Sequence, residues 1–107
     1  MDQKEIRQCI DRVSNLYAIA SDSMLRNSEV YVFSSWTVFY DEYENEICIS
    51  RYVIDFPFSS MTWGYAVNDV LTKSDDDIYM MFYKDMIEAI DYRDRLIARF
   101  SHKSDIQ

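Results

Sequence analysis

Residues 36–54, Trp-Thr-Val-Phe-Tyr-Asp-Glu-Tyr-Glu-Asn-Glu-Ile-Cys-Ile-Ser-Arg-Tyr-Val-Ile, decide the fold. Two runs of β-branched and aromatic residues alternate with period two on either side of a polar interval, which is the pattern of a β-hairpin. Upstream, the first run begins at Val30. Val30, Val32, Trp36, Val38 and Tyr40 share one face of an extended strand, and Tyr31, Phe33, Thr37 and Phe39 share the other. Asp41 to Asn45 supplies the loop. From Glu46 to Ile54 the second strand sets Ile47, Ile49, Arg51 and Val53 opposite Cys48, Ser50, Tyr52 and Ile54. A two-stranded hairpin alone is marginal in water, so helices, a third strand or a partner chain must complete it.

Outward from the hairpin the period changes to that of helices. Ile6, Ile10, Val13, Tyr17, Ala20 and Met24 step by alternating fours and threes along one face of an N-terminal helix that Asn27 and Ser28 end. Pro57 is expected to close the strand region. Trp63, Ala66, Val67, Val70 and Leu71 then fit a short helix with Ser59 or Ser60 as N-cap, while Gly64 and the β-branched content leave a third strand open. Ser74 and Asp77 have the spacing of a helix-start signal. Ile78, Phe82, Met86, Ala89, Ile90, Ile97 and Phe100 mark a long final helix, with a frayed tail from 101 to 107. The sum is an α+β fold: helix, small antiparallel hairpin or sheet, short helix, long C-terminal helix.

At 107 residues, with 49% hydrophobic content and 16% aromatic, the chain fits one compact acidic domain spanning 1–107. It is far too apolar for a disordered acidic segment. A single Gly and a single Pro imply few and short loops. No charged start leads into an apolar run, and no run approaches a membrane span, so a soluble cytoplasmic protein is expected. Trp36 and Trp63 are expected in the core. Cys9 and Cys48 lie in separate elements and read as buried free thiols.

Charge is distributed unevenly. Residues 29–83 hold ten carboxylates against Arg51 and Lys73, which is the whole formal charge of −8; both ends are neutral. A field of one sign on part of a small surface attracts basic partners and repels nucleic acid and anionic membranes. The densest run is Asp41, Glu42, Glu44 and Glu46 around Tyr43, which reads as an acidic prong with an aromatic anchor for an Arg or Lys surface. Asp75, Asp76 and Asp77 form a second cluster and are counted with the first as candidate partner-binding residues. As consecutive residues they do not converge on an ion, and in a first helical turn they complement the macrodipole.

Catalytic and cofactor chemistry find little support. His102 is the sole histidine and falls in the expected tail, so no Ser or Cys nucleophile has a positioned base. The thiols lack zinc spacing, and Gly64 alone cannot cradle phosphate. No cofactor and no metal are expected. In size, acidity and aromatic content alone, the chain is similar to small inhibitors such as nuclease immunity proteins and phage-encoded antagonists of restriction, CRISPR or transcription machinery.

The functional expectation is therefore a non-catalytic inhibitor that blocks the basic site of a nucleic-acid-handling protein, such as a nuclease, CRISPR effector or polymerase component. If phage-encoded, it would act in the host cytoplasm. No direct nucleic-acid binding is expected. The alternative is a structural or adaptor subunit that forms a homodimer, or completes a larger assembly, through the aromatic strand of residues 30–40.

Overall fold

The computed structural model describes residues 2–24, 36–53 and 56–105. In order along the chain these form α1 (Gln3–Met24), β1 (Thr37–Asp41), β2 (Glu46–Val53), β3 (Phe56–Ala66), α2 (Val67–Thr72) and α3 (Asp75–Asp105). The three strands make one antiparallel sheet in the order β1-β2-β3. This is an α+β arrangement with the hairpin at its centre.

Asp2 starts α1 by accepting the Glu5 N–H on its carboxylate (2.8 Å) and the Ile6 N–H on its carbonyl (3.2 Å). Cys9, Val13, Tyr17 and Ala20 are then buried on the face that the sequence periodicity marks. That face meets Ile47 and Ile49 of β2, Tyr65 of β3, Val67 and Val70 of α2, and Ile78, Phe82 and Met86 of α3 in the main core. Phe82 is fully buried, with the rings of Tyr17 and Tyr65 meeting it edge-on at centroid distances of 5.5 and 5.0 Å. Trp36, Val38, Tyr40 and Trp63 pack against this core half-buried, so the two tryptophans line its margin and do not fill its centre. A smaller cluster, Ala89 and Leu96 of α3 with Met61, Trp63 and Tyr92, continues the contact between β3 and the second half of α3.

Several sequence expectations change. Residues 56–66 are strand, so of the two readings left open for the run from Trp63 the third strand holds up to Ala66, and only Val67–Thr72 is helical. Met61, Trp63 and Tyr65 also alternate with Thr62, Gly64 and Ala66, and pairing with Arg51, Ile49 and Ile47 satisfies their backbone while turning all three toward the helices. Pro57 therefore does not close the strand region; it lies near the start of β3, an edge strand, where a missing N–H is tolerated. The N-cap of α2 is Ala66, with no side-chain cap, in place of Ser59 or Ser60. α3 runs to Asp105. Ile97 is 43% exposed, and Leu96 takes the inward place instead. Residues 25–35, which include the expected helix end and the first half of the expected first strand, lie outside the described residues. Among the described residues no helix is long and apolar enough to cross a membrane.

Candidate functional site

The loop between β1 and β2 is built by its own polar side chains. Asp41 pairs with Glu46 at the end of the ladder, and one oxygen of its carboxylate accepts the Tyr43 N–H at 2.9 Å and the Glu44 N–H at 3.4 Å. Asn45 adopts a left-handed backbone (φ 55°), a conformation Asn tolerates better than most residues. Its side-chain oxygen accepts the Tyr40 hydroxyl at 2.8 Å, and its carbonyl accepts the Val67 N–H at 3.2 Å. These bonds fix both ends of the loop and tie it to the start of α2. Glu42, Tyr43 and Glu44 are left pointing to solvent, with Tyr43 91% exposed.

The expected acidic cluster thus divides by role. Asp41 shapes the turn, and Glu46 lies half-buried along the sheet with its carboxylate over the Gly64 backbone. Glu42 and Glu44 flank the exposed ring and remain open for contact.

Asp75, Asp76 and Asp77 occupy the first turn of α3. Ser74 caps that turn by accepting the Asp77 N–H on its hydroxyl at 3.2 Å, as the sequence spacing predicts. Asp75 is held by Arg12 of α1 at 2.6 and 3.1 Å. The same guanidinium donates to the Lys73 carbonyl at 2.8 Å and to the Val70 carbonyl, so it joins α1 to the end of α2 and the start of α3. Asp76 and Asp77 are exposed. With α2 only about 9 Å long, the hairpin loop and this second acidic turn lie at opposite ends of one short helix.

Comparison with protein-family models, curated proteins and solved structures finds no match. The chemistry of the residues carries the functional argument.

Two buried polar features escaped the sequence reading. Arg51 sits among the core aromatics, donating to the Tyr17 hydroxyl at 3.2 Å with its guanidinium 5.7 Å from the centre of the Trp36 ring. The alternation that puts Arg51 on the Ile47 and Ile49 face was the available signal. On α3, Asp85 accepts the Tyr65 hydroxyl. Burial raises the Asp85 carboxyl above its ordinary value, with Glu88 adding to the rise and the Tyr65 bond and Lys84 opposing it. Burial and the same bond push the Tyr65 phenol far up, so it remains a neutral donor. Asp85 falls on the inward side of α3 between Phe82 and Met86, which marks it in retrospect. Cys9 and Cys48 are buried free thiols, each raised in pKa chiefly by burial and then by a neighbouring carboxylate, Glu5 and Glu46 respectively. Among the described residues, no group of three His, Cys, Asp or Glu side chains is placed to hold a metal ion.

Proposed function

We propose that this chain is a non-catalytic inhibitor that sets an acidic, tyrosine-tipped hairpin into the basic site of a protein that handles nucleic acid. The observation that supports this reading is the loop itself. Its backbone is tied down by Asp41, Asn45 and Tyr40, while the three side chains at its tip, Glu42, Tyr43 and Glu44, are left free. Preorganisation of that kind lowers the ordering cost of binding. Carboxylate, ring, carboxylate in succession offers a basic groove what a short stretch of single strand offers: negative acceptor oxygens on either side of a π face. A guanidinium stacked on Tyr43 contributes about 0.5–1 kcal/mol at an exposed site and about 2 when desolvated. Asp76 and Asp77 extend the same field from the far end of α2.

Among the described residues of the aromatic strand, Phe39 is the one large apolar side chain counted as exposed. That favours the hairpin tip over assembly through this strand.

The test is affinity capture from the cells that make the protein, identified by mass spectrometry, with wild type against Glu42→Lys/Glu44→Lys. The expected result is a basic nucleic-acid-handling protein retained by wild type, lost by the variant, and released from its nucleic acid when wild type is added. Capture unaffected by the double charge reversal would overturn the reading.

A further inference from the structure

β3 pairs with β2 along one edge only, and among the described residues no N–H or carbonyl of residues 60–66 bonds to backbone on the other. Natural sheet edges are guarded by charge, proline, bulges or shortness. Here Pro57 and the register shift at Tyr52 and Val53 lie at the start of β3, while residues 60–66, Ser-Met-Thr-Trp-Gly-Tyr-Ala, carry no charge and no proline. Beside this unguarded edge runs a cleft of about 430 Å³, with residues 60–63 of β3 as one wall and Glu88, Tyr92 and Arg95, on one flank of α3, as the other. The two walls are antiparallel: Tyr65 donates to Asp85, whereas Met61 and Trp63 pack with Ala89, Tyr92 and Leu96 further along α3.

We propose that an extended segment of another protein enters this cleft and adds a fourth strand to the sheet. The β3 wall selects the occupant. Alternating N–H and carbonyl groups along a strand edge are matched in register by a second strand, and a helix, whose own backbone groups are bonded internally, cannot supply them. A second copy pairing through its own β3 would carry its own α3 to the same side of the joined sheet, where the flank bearing Glu88, Tyr92 and Arg95 already stands, so a free segment fits where a second domain does not. Antiparallel addition, the more stable mode per residue, makes the segment run in the direction of α3. Its alternate side chains are about 6.8 Å apart, close to the rise of about 6 Å between Glu88 and Tyr92. The side chains facing the helices therefore meet Glu88 first and the Tyr92 and Trp63 rings next. Arg95 is already engaged by Asp91 at 2.9 Å, whereas Glu88 is exposed and makes no ion pair among the described residues. The segment that fits is basic at one position and apolar two residues later. This inference does not rest on the hairpin-tip reading, since that loop lies beyond the Glu46 and Ala66 end of the ladder and the cleft lies along its other half.

The probe is a fluorescein-labelled peptide, Ser-Thr-Lys-Thr-Leu-Thr-Ser, titrated into the full chain and read by anisotropy and by amide shifts of the 15N-labelled protein. Saturable binding below about a millimolar is expected, with shifts centred on residues 60–66 and 88–95. Successive residues of an added strand point their backbone groups alternately toward β3 and away from it. N-methylation of one alternate set of peptide residues should therefore weaken binding at least about tenfold, and methylation of the other set should leave it nearly unchanged. Glu88→Lys, at an exposed position where circular dichroism should remain that of the folded chain, should weaken binding about fivefold, and the peptide with Glu in place of Lys should bind this variant better than wild type. Absence of binding at a millimolar, equal sensitivity to methylation of either set, shifts confined to other parts of the chain, no exchange of charge preference in Glu88→Lys, or a wild-type dimer in sedimentation velocity that the peptide dissociates would each overturn the proposal.

Discussion

Arg12 shows how one side chain can decide where an acidic cluster points. Its guanidinium engages Asp75 and two carbonyls at the α2 to α3 junction, so it serves as a C-terminal cap for α2 and a clamp on α1. Its ion pair with Asp75 is partly exposed and contributes little alone, whereas the carbonyls it satisfies would lose their charged donor. Arg12→Ala should destabilise the fold by about 1–3 kcal/mol, read as a lower urea midpoint with unchanged slope. Asp85 poses a different question, since its carboxyl is raised by burial. As pH climbs past about 4, the unfolded chain releases this proton before the folded chain does. The folded state then binds more protons, so the Asp85 contribution to stability falls with rising pH until the raised value is passed. Asp85→Asn keeps an acceptor for Tyr65 and removes that fall. Its stability relative to wild type should increase as pH goes from about 4 to neutrality, and parallel urea-midpoint profiles for the two chains would refute the assignment.

In the hairpin, the left-handed Asn45 is the position that the loop cannot easily give up. Asn45→Ala places a Cβ where L-residues are disfavoured and removes the acceptor for Tyr40, so a loss of about 1–2 kcal/mol in thermal or urea unfolding is expected. Gly64 on β3 behaves in the opposite way. The three atoms nearest a Cβ there all belong to the carboxylate end of Glu46, which can swing aside, and the backbone is not left-handed. Gly64→Ala should therefore raise stability by about 0.4–1 kcal/mol through the unfolded chain, with destabilisation in the same assay counting against a movable Glu46. The neighbouring run shows why β3 was harder to read than β2. Trp63, Ala66, Val67, Val70 and Leu71 satisfy a helical period, but four of those five hits fall at or after Ala66, where the strand ends and α2 begins. Short apolar runs do not separate the two periods, and the exposed edge of β2 settles the choice.

Across the domain, Trp63 connects the main core to the smaller cluster beneath α3, since it packs against both. Trp63→Ala should cost about 3 kcal/mol, at the low end for a large ring because the side chain is half-buried, and should loosen the second half of α3 before the rest. Hydrogen exchange along α3 reports that order. The distribution of charge has its own consequence. With ten carboxylates against two cations over residues 29–83, and Arg12 and Arg95 held by Asp75 and Asp91, the described residues offer phosphates no basic stripe. Titration with labelled duplex or single-stranded DNA near physiological salt should show no binding, and micromolar affinity would contradict this account of the surface.

Period and charge were readable before any fold was known. α1, the hairpin with its loop at Asp41 to Asn45, the Ser74 start of α3 and the acidic middle all follow from local spacing, because each depends on residues within a few positions of one another. The tyrosine-tipped loop was legible too, though not the division that leaves Glu42 and Glu44 free while Asp41 bonds the turn and Glu46 lies back along the sheet. That division depends on which oxygen bonds which N–H and on how close Gly64 lies. Pairing between distant segments settled the rest. β3 exists because β2 had an edge to fill, Arg12 meets Asp75 across 63 positions, Tyr65 meets Asp85 across 20, and Arg51 enters the core because its alternate face faces the helices. Alternation could place Arg51 and Asp85 on an inward face, but the partners carry no local signature, since they are set by what the folded chain brings against the side chain.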